Sequence, residues 1–420
     1  MVVKVNNKHL PHLSASFWEQ SPQLQSVRDA GFARLTSPEA VMACTLCRVA
    51  ASLPPSVTLP NQTSINFIAA LVGESGSGKT EAMKAARHLM PDIGTPVDGV
   101  NIGSGQGIAQ QYIVKDSVEN NSQPTITSAL FCVGEGEQLI KLGKSTDSIT
   151  LSTIRSAWSG ENIGQQNATA ERRRLVPADS YRFAMAVGFQ PKFAAELLTG
   201  VSAGDPQRFL FVGVTHPEQP DIRPSFPKPF AKLWRSNNDG LTISVDREIT
   251  REIDRFRVQR QRLEIAADPL DSHRHLVQLK TAALLAGLHS NGSGIEVSIQ
   301  WWNAAALLVE VSRGVRDRLC ELSVSDRHKR NGDRAADRIE NETIVEASRE
   351  QRALESMIGS IVRRCQRDQI PVHRNDLHNA TASKHRNLIP FDTALQAAID
   401  RRLIIRATES DCYKARNIGT

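Results

Sequence analysis

"FIAALVGESGSGKTEAMKAARHLM", Phe67 to Met90, is the stretch of sequence that decides the fold class. An apolar run from Ile65 to Val72 is typical of a buried strand, and an alanine-rich helical pattern begins at Glu81. Between them, the glycine loop of residues 73–80 fits the pattern G-x-x-x-x-G-K-[ST], which binds phosphate when it connects a strand to a helix. This context predicts an α/β core with a phosphate-binding loop, against the alternative of a glycine-rich turn with a chance lysine.

Each residue type of the glycine loop has a physical role in holding a nucleotide. Gly76 and Gly78 let successive backbone N–H groups turn inward around an anion, and the positive end of the following helix faces the same phosphates. Lys79 would reach the β- and γ-phosphates, and the hydroxyl of Thr80 would bind Mg²⁺. We therefore expect ATP and Mg²⁺ as cofactors, bound by Gly73, Glu74, Ser75, Gly76, Ser77, Gly78, Lys79, Thr80 and Glu81.

The stretch "ALFCVGEGEQLIKL", Ala129 to Leu142, offers the acid that a nucleotide hydrolase needs beside its metal ion. Its apolar run predicts a buried strand with a carboxylate at its end, although the usual Asp-Glu pair is absent. Glu135 is the first acid after this strand, and we assign it to the metal or its water, with Glu137 as its support. A surface turn with two glutamates is the alternative.

Two further polar residues adjoin predicted strands. Gln190 ends the strand in "YRFAMAVGFQP", where it could orient water or sense the γ-phosphate, because ligands of parallel sheets bind at the carboxyl ends of strands. Arg208 begins the strand in "AGDPQRFLFVGV", just after a tight Gly-Asp-Pro turn. An arginine finger, which neutralises charge on a phosphate bound by a neighbouring subunit, and a plain surface arginine fit this spacing equally well.

Length, charge and cysteine content narrow the class of protein. The 420 residues predict two to four domains. The net charge is +6, and the residues from Ile361 onward carry 11 Lys and Arg against 6 Asp and Glu, which favours nucleic acid as a partner over a solvated basic face. We see no apolar run long enough to span a membrane and no export signal, and the six cysteines read as buried thiols. We therefore expect no membrane partner and a cytoplasmic location.

Patterning divides the chain into four expected regions. Residues 1–60 read as an N-terminal helical cap, in which Ser37 and Pro38 start a helix. Residues 61–220 alternate apolar runs with helical patterns, the signature of a parallel βαβ core. Residues 221–346 combine a proline-rich strap with a helical domain, helical throughout from Val245 to Arg318. Residues 347–420 fit a winged helix-turn-helix domain.

The expected winged helix contains a helix at 350–366, a short strand "IPVH", the helix "RNDLHNA", a basic turn "TASKHRN", the helix "PFDTALQAAIDRR" and the strand "LIIRA". Lys384, His385 and Arg386 lie in the basic turn before the candidate recognition helix and are expected to contact duplex DNA. A small helical dimerisation or docking domain explains the same pattern.

A second DNA contact is expected between the acid strand and the strand that ends at Gln190. The triple arginine Arg172, Arg173 and Arg174 follows a turn-rich stretch, which suggests a projecting hairpin or loop. In a ring, such a loop would face the pore and grip the phosphates of single-stranded DNA. An exposed loop with solvated arginines is the equally weighted alternative.

Several stretches together resemble a known family: "SFWE", the glycine loop, "NIGSGQGI", "GEGEQL", "STIRSAWSGENIG" and "GDPQRFLF". They are similar to P-loop proteins of actinobacteria, their phages and mobile elements, labelled DNA primase/polymerase-associated ATPases or replicative helicases. The resemblance implies a RecA-like P-loop NTPase core and ATP-driven work on DNA by a homo-oligomeric ring, expected to be a hexamer. It also implies a polymerase or primase partner and favours the finger role for Arg208, but it does not imply primase activity.

The stretch "GSGQG" departs from that family, whose members carry Glu where this chain has Gln106. An amide cannot take a proton as a base. Either Glu135 or Glu137 therefore activates the water, or hydrolysis is slow and Gln106 only orients the water.

Three functions are compatible with these sequence features. The leading hypothesis is an ATP-dependent DNA motor or loader, a replicative helicase-like ATPase of a phage or mobile genetic element. The alternative is an ATP-regulated DNA-binding switch or replication initiator that does not translocate. A P-loop kinase is disfavoured, because a small acceptor needs neither the helical domain nor the winged helix.

Overall fold

The computed structural model describes residues 2–3, 10–94, 97–113, 126–144, 149–165, 174–199, 204–230, 243–265, 268–290, 294–368, 370–408 and 411–416. The chain forms two compact units, Met1–Ser325 and Asp326–Thr420. The first three regions expected from the sequence thus belong almost wholly to one unit. Among the described residues, none of the helices combines the length and apolar character required to cross a bilayer.

The first unit contains eleven strands among its described residues: β1 (Val2–Val3), β2 (His12–Leu13), β3 (Phe67–Val72), β4 (Val97–Val100), β5 (Ser128–Val133), β6 (Ile163–Gln165), β7 (Arg174–Val176), β8 (Arg182–Phe189), β9 (Leu210–Gly213), β10 (Ser244–Val245) and β11 (Glu296–Val297). Its helices are α1 (Ala15–Trp18), α2 (Pro22–Ala33), α3 (Pro38–Ser52), α4 (Lys79–Leu89), α5 (Gly105–Gln110), α6 (Glu137–Lys144), α7 (Thr150–Ser159), α8 (Pro191–Leu198), α9 (Arg247–Gln261), α10 (Arg274–His289) and the start of α11 (Ile299–Asp368).

Five of these strands form one parallel sheet in the order β4-β5-β8-β3-β9. Every residue of β3 and β8 is buried, as expected for central strands of a parallel sheet covered on both faces. The predicted α/β core is therefore confirmed. Because the strands are parallel, the loops after β3, β5 and β8 all leave one edge, here called the carboxyl edge, and the opposite edge is called the amino edge.

Helix α3 is the part of the expected N-terminal cap that shapes the core. The hydroxyl of Ser37 accepts the Ala40 N–H and Pro38 occupies the first turn, so the predicted helix start is confirmed. Nearly every residue of α3 is buried, and the helix packs on β3, β5, β8 and β9. Cys44 and Cys47 are free thiols inside this helix, and burial raises the pKa of both, as expected for structural cysteines.

The strap and the helical stretch expected after the core differ from each other in how far the structure follows the sequence pattern. The proline-rich strap contains neither helix nor strand over residues 221–230, in agreement with its prolines, which lack the amide donor of a helix or ladder; its remainder lies outside the described residues. The expectation of helix throughout from Val245 to Arg318 is wrong: Val245 lies in β10, a 3-10 helix over Pro269–Asp271 separates α9 from α10, and β11 separates α10 from α11. Ser244 and Val245 pair in parallel with Glu296 and Val297, so a two-stranded sheet links the residues before α9 to those after α10.

The second unit contains the C-terminal part of α11, then β12 (Val372–His373), α12 (Arg374–Ala380), α13 (Ser383–Arg386), α14 (Phe391–Asp400), β13 (Ile404–Arg406) and β14 (Cys412–Ala415). Its strands form an antiparallel sheet in the order β12-β14-β13 over a core that includes Ile361, Leu377 and Leu395. The helix expected at 350–366 is part of the longer α11. The expected basic turn contains the helix α13, in which the backbone N–H groups of His385 and Arg386 donate to the Ala382 carbonyl. The guanidinium of Arg386 donates to the carbonyls of Thr381 and His378 and so holds α13 against the end of α12.

Candidate functional site

The glycine loop leaves β3 at the carboxyl edge and leads directly into α4. Gly76 and Gly78 have φ angles of +75° and +105°, in the region that favours glycine. A Cβ at Gly73 would lie 2.2 Å from Val214 Cγ2 and 2.4 Å from Ser77 Oγ, so that position lacks room for a side chain. Each of these three glycines is thus required by backbone conformation or by close packing, as the phosphate-loop motif predicts.

Lys79 is the first residue of α4, and its side chain folds back over the glycine loop. Its Nζ donates to the carbonyl oxygens of Gly73 at 2.7 Å and Glu74 at 2.6 Å. Burial lowers the pKa of Lys79, whereas the carboxylates of Glu74 and Glu135 raise it. An anion in the loop would offer this ammonium a charged acceptor, which binds it more strongly than a neutral carbonyl does.

The loop between β5 and α6 brings Glu135 to the same place. The Gly136 N–H donates to the Gly188 carbonyl at 2.7 Å, which ties this loop to the end of β8. A Cβ at Gly188 would lie 2.7 Å from the Gly134 oxygen and 3.1 Å from Lys79 Cδ. Two strands therefore meet here so closely that glycine is needed, and the exposed Glu135 is held within electrostatic reach of Lys79.

Glu137 and Gln190 also lie at the carboxyl edge. Glu137 begins α6 and pairs with Lys141 at 2.7 Å one turn later, a contact that stabilises the helix; its supporting role stays a prediction. Gln190 is an exposed residue at the start of α8, and it follows Phe189, whose carbonyl accepts the Gly73 N–H at 3.0 Å. Gln190 is thus adjacent to the glycine loop, as the sequence predicts.

Gln106 occupies a different part of the same edge. It is exposed on α5, which follows β4 at the end of the sheet. Because β5 and β8 separate β4 from β3, three strand spacings of about 4.8 Å each place β4 about 14 Å from β3. The structure therefore does not bring Gln106 next to Lys79, and its role with water stays a prediction.

Arg208 lies at the amino edge, in the 3-10 helix that precedes β9. Its Nη1 donates to the Gly204 carbonyl, and its Cζ lies 5.5 Å from the centre of the Trp158 ring. Burial, together with the charge of Arg155, lowers the pKa of Arg208. The length of β9, about 13 Å for four residues, separates Arg208 from the glycine loop of its own chain. Any role at the phosphates would have to be in a neighbouring subunit.

The expected DNA contacts are only partly described. Strands β6 and β7 pair antiparallel, with Gln165 opposite Arg174, so a hairpin is present where one was expected. Arg172, Arg173 and the Arg174 side chain lie outside the described residues. In the second unit, Lys384 is exposed and His385 is half-buried. The guanidinium of Arg386 donates to the His378 carbonyl in the last turn of α12.

A cavity beside the glycine loop was not anticipated from the sequence. A Cβ at Gly78 would lie 3.1 Å from Thr36 Cβ and 3.2 Å from the Leu35 carbonyl, so the chain before α3 borders the loop. Next to it is a cavity of about 530 Å³, lined by Ala33, Arg34, Leu35, Glu81, Arg223, Pro224 and Phe226. No local motif marks these residues, because three segments distant in sequence form the cavity.

Arg34 is held in the wall of this cavity by three contacts. Its Nη2 lies 2.8 Å from His88 Nδ1, its Nη1 lies 3.6 Å from a Glu81 carboxylate oxygen, and its Cζ lies 5.4 Å from the centre of the Phe226 ring.

Comparison of the chain with models of protein families gives no match, and comparison with curated proteins gives none either.

Proposed function

We propose that this chain is a RecA-like P-loop ATPase that works on DNA. The observation that carries the proposal is the meeting of the glycine loop, Lys79 and Glu135 at the carboxyl edge. The strand order adds support, since β8 stands between the strand of the glycine loop and the strand of the acid. In this arrangement the terminal phosphate and the attacking water would lie between the two loops.

Hydrolysis would transfer the γ-phosphoryl group from the ADP oxygen to a water oxygen. Lys79 would neutralise charge on the phosphates, Glu135 would take the proton of the attacking water, and Gln190 would orient that water. Thr80 is exposed in the first turn of α4. The Thr80 hydroxyl and the Glu135 carboxylate are oxygen donors of the kind that Mg²⁺ prefers, and the ion would neutralise the charge that develops on the phosphates.

The cavity beside the glycine loop is suited to the nucleoside part of ATP. Its volume of about 530 Å³ is within the range of small-ligand pockets. Phe226 offers an aromatic face to a base, and Arg34 and Glu81 offer a donor and an acceptor for polar groups. We therefore place the base on this side of α4 and the γ-phosphate near Glu135.

The position of Arg208 supports an assembly of several subunits. A guanidinium at the amino edge is about a strand length from the loop of its own chain. In a ring, this edge could meet the carboxyl edge of the neighbouring subunit, so that Arg208 acts as a finger there. The hairpin of β6 and β7 would then face the pore and contact single-stranded DNA.

The second unit supports a winged helix by its order of elements: α11, β12, α12, α14 and β13 follow the expected plan, and β14, which was not expected, pairs with β13 to form a hairpin. Charge indicates which part would contact DNA. The exposed residues of α14 include Asp392 and Asp400, whereas the hairpin exposes Arg402, Arg406, Lys414 and Arg416. We therefore assign duplex contact to the hairpin and to Lys384, with docking to a protein as the competing role.

The proposed function is tested by the ATPase rate of the full-length chain with and without single-stranded DNA, combined with its oligomeric mass. A motor or loader should form an ATP-dependent oligomer whose rate rises severalfold with DNA. An ATP-regulated switch would hydrolyse slowly whatever DNA is added. No hydrolysis at all by a folded oligomer would reject both.

The hairpin assignment is tested by the double substitution Arg406→Ala and Lys414→Ala, with Gln396→Ala on the exposed side of α14 as control. Loss of two phosphate contacts should weaken duplex binding at least about tenfold at moderate salt and reduce its salt dependence. If Gln396→Ala has the larger effect, α14 is the contacting element. If neither substitution matters, the unit is a docking module.

A further inference from the structure

Two histidines and a glutamate that take no part in the proposed nucleotide site come together in the first unit. His12 lies in β2, and His216 and Glu218 follow β9. One ligand atom from each residue lies within 4.8 Å of the other two, with His12 Nε2 3.8 Å from Glu218 Oε1. The three side chains come from segments about 200 residues apart in the chain, so only the fold brings them together.

Only one ring nitrogen of this cluster has a hydrogen-bond partner among the described residues: His216 Nδ1 accepts the Glu218 N–H at 3.2 Å. His12 is 3% exposed, and within the described part of the chain neither of its ring nitrogens nor Nε2 of His216 has a hydrogen-bond partner. The two rings lie edge to face with 4.6 Å between their centres. A buried polar atom without a hydrogen bond costs free energy, so folded proteins usually provide such atoms with a partner. A third polar group between the rings would supply one.

We propose that His12, His216 and Glu218 bind a divalent transition-metal ion, with Zn²⁺ as the best match. Imidazole nitrogens with one carboxylate favour Zn²⁺ and similar ions, whereas Mg²⁺ and Ca²⁺ prefer oxygen ligands alone. Ligands about 2.1 Å from a tetrahedral ion lie about 3.4 Å from each other. The separation of 3.8 Å between His12 Nε2 and Glu218 Oε1 needs only a small adjustment.

Glu39 is a positioning residue for this site. Its Oε1 accepts the Leu13 N–H at 2.8 Å, next to His12 in the chain, and lies 3.9 Å from His216 Nε2. A carboxylate beside Nε2 of His216 would orient that ring and leave Nδ1, which accepts the Glu218 N–H at 3.2 Å, as the nitrogen that binds the ion in place of this N–H. The side chain of Glu218 is 66% exposed, so an ion and a water molecule as fourth ligand can enter from solvent.

The bound ion would join three segments beside the glycine loop. Glu39 lies in the first turn of α3, whose cap Ser37 donates to the Gly213 carbonyl, and Thr36 borders Gly78. The ion would therefore hold β2 and the chain after β9 against the start of α3. Its expected effect is greater thermal stability of the first unit, and this effect does not require that the glycine loop binds nucleotide.

The test is metal binding by the full-length chain after treatment with a chelator. Titration with Co²⁺ should produce one equivalent of the visible absorption typical of a tetrahedral ion, and calorimetry with Zn²⁺ should show one site with a Kd below about 1 µM. Zn²⁺ should also raise the melting temperature. The substitution Glu218→Gln, at an exposed position that tolerates change, should weaken Zn²⁺ binding about 10- to 100-fold.

Two further variants complete the test. His12→Asn should abolish the Co²⁺ absorption, whereas His385→Asn, in the second unit, should leave it unchanged. Circular dichroism checks that each variant is folded. The proposal is overturned if the wild-type chain takes up no Zn²⁺ or Co²⁺, or if folded Glu218→Gln binds Zn²⁺ as tightly as the wild type. Failure of ATP hydrolysis with intact metal binding would reject the proposed function and leave this inference standing.

Discussion

Both edges of the parallel sheet carry cations, but these are accessible to solvent at one edge and buried at the other. At the carboxyl edge, Lys79 is partly exposed and shares its surroundings with the exposed Glu135 and Gln190. At the amino edge, Arg182 and Lys280 are fully buried. The first arrangement leaves charge accessible to a ligand, and the second satisfies charge inside the protein.

The amino edge balances its cations with carbonyl oxygens. The guanidinium of Arg182 donates to the carbonyls of Leu53, Pro54 and Val57, and burial lowers its pKa to about 9. Lys280 Nζ donates to the Asn66 carbonyl at 3.0 Å and to the Trp158 carbonyl at 2.8 Å. These cations hold segments together, because each one satisfies several backbone acceptors that would otherwise be buried without partners.

Arg208 stands between these two cases. It lies at the amino edge, but it is only half-buried, and its Nε is a buried atom for which the described residues provide no hydrogen-bond partner. Its Nη1 donates to one carbonyl, that of Gly204. A buried cation that donates to many carbonyls is structural, whereas a half-buried cation with few acceptors can serve a ligand or a neighbouring subunit.

The largest expected effect separates Arg208 from its buried neighbours. Arg208→Ala should bind ATP nearly normally and hydrolyse it more slowly by a factor on the order of 10³, if the magnitude for arginine fingers applies. Mixing Arg208→Ala with Lys79→Ala subunits should restore part of the activity, since some interfaces would combine an intact loop with an intact finger. No recovery, with subunit exchange shown by mass, would place Arg208 among the structural cations.

The next effect concerns stability. Arg182→Ala should lower the free energy of unfolding by about 3 kcal/mol or more, because several buried carbonyls lose their donor. Arg87→Ala, at a side chain 64% exposed, is the control and should cost less than about 0.5 kcal/mol. Urea unfolding of the two variants measures both changes. Equal small losses would show that the amino edge does not depend on its buried cation.

A third prediction tests whether the exposed Glu135 at the carboxyl edge takes part in hydrolysis. Glu135→Gln should retain ATP binding and lower the hydrolysis rate by about 10²-fold, since an amide cannot take the proton of water. Glu137→Gln, which disturbs a helix-stabilising pair, should have a smaller effect. A greater loss in Glu137→Gln would exchange the roles of the two glutamates.

The smallest effect is a pH dependence at the amino edge. Burial and the charges of Arg208, Lys280 and Arg260 lower the pKa of His273 from 6.5 to about 4. The unfolded chain therefore takes up this proton first, and the stability contributed by neutral His273 is lost as the pH falls from 6.5 to 4. His273→Gln should lose less stability than the wild type between pH 7.5 and 5, as measured by urea midpoints. An identical loss would mean that His273 is not near these cations.

Local patterns predicted the parts of this molecule that depend on neighbours in the chain. The strand before the glycine loop, the cap at Ser37 and the position of Glu135 after a buried strand follow from residue spacing and apolar runs. The burial of Lys280 and the meeting of His12 with His216 and Glu218 could not be predicted in this way. Each depends on segments more than 100 residues away, and a lysine or histidine in a helical or extended stretch carries no sign of such contacts.

The most direct test of the central claim is the rate of phosphate release by Lys79→Ala beside that of Lys84→Ala. Both lysines belong to α4, but Lys84 is 58% exposed and pairs with Glu81 at 2.8 Å. The account predicts that Lys79→Ala folds normally yet hydrolyses ATP at less than about one hundredth of the wild-type rate, because charge neutralisation at the phosphates is lost, while Lys84→Ala stays near the wild type. A folded Lys79→Ala protein that releases phosphate as fast as Lys84→Ala would contradict the account.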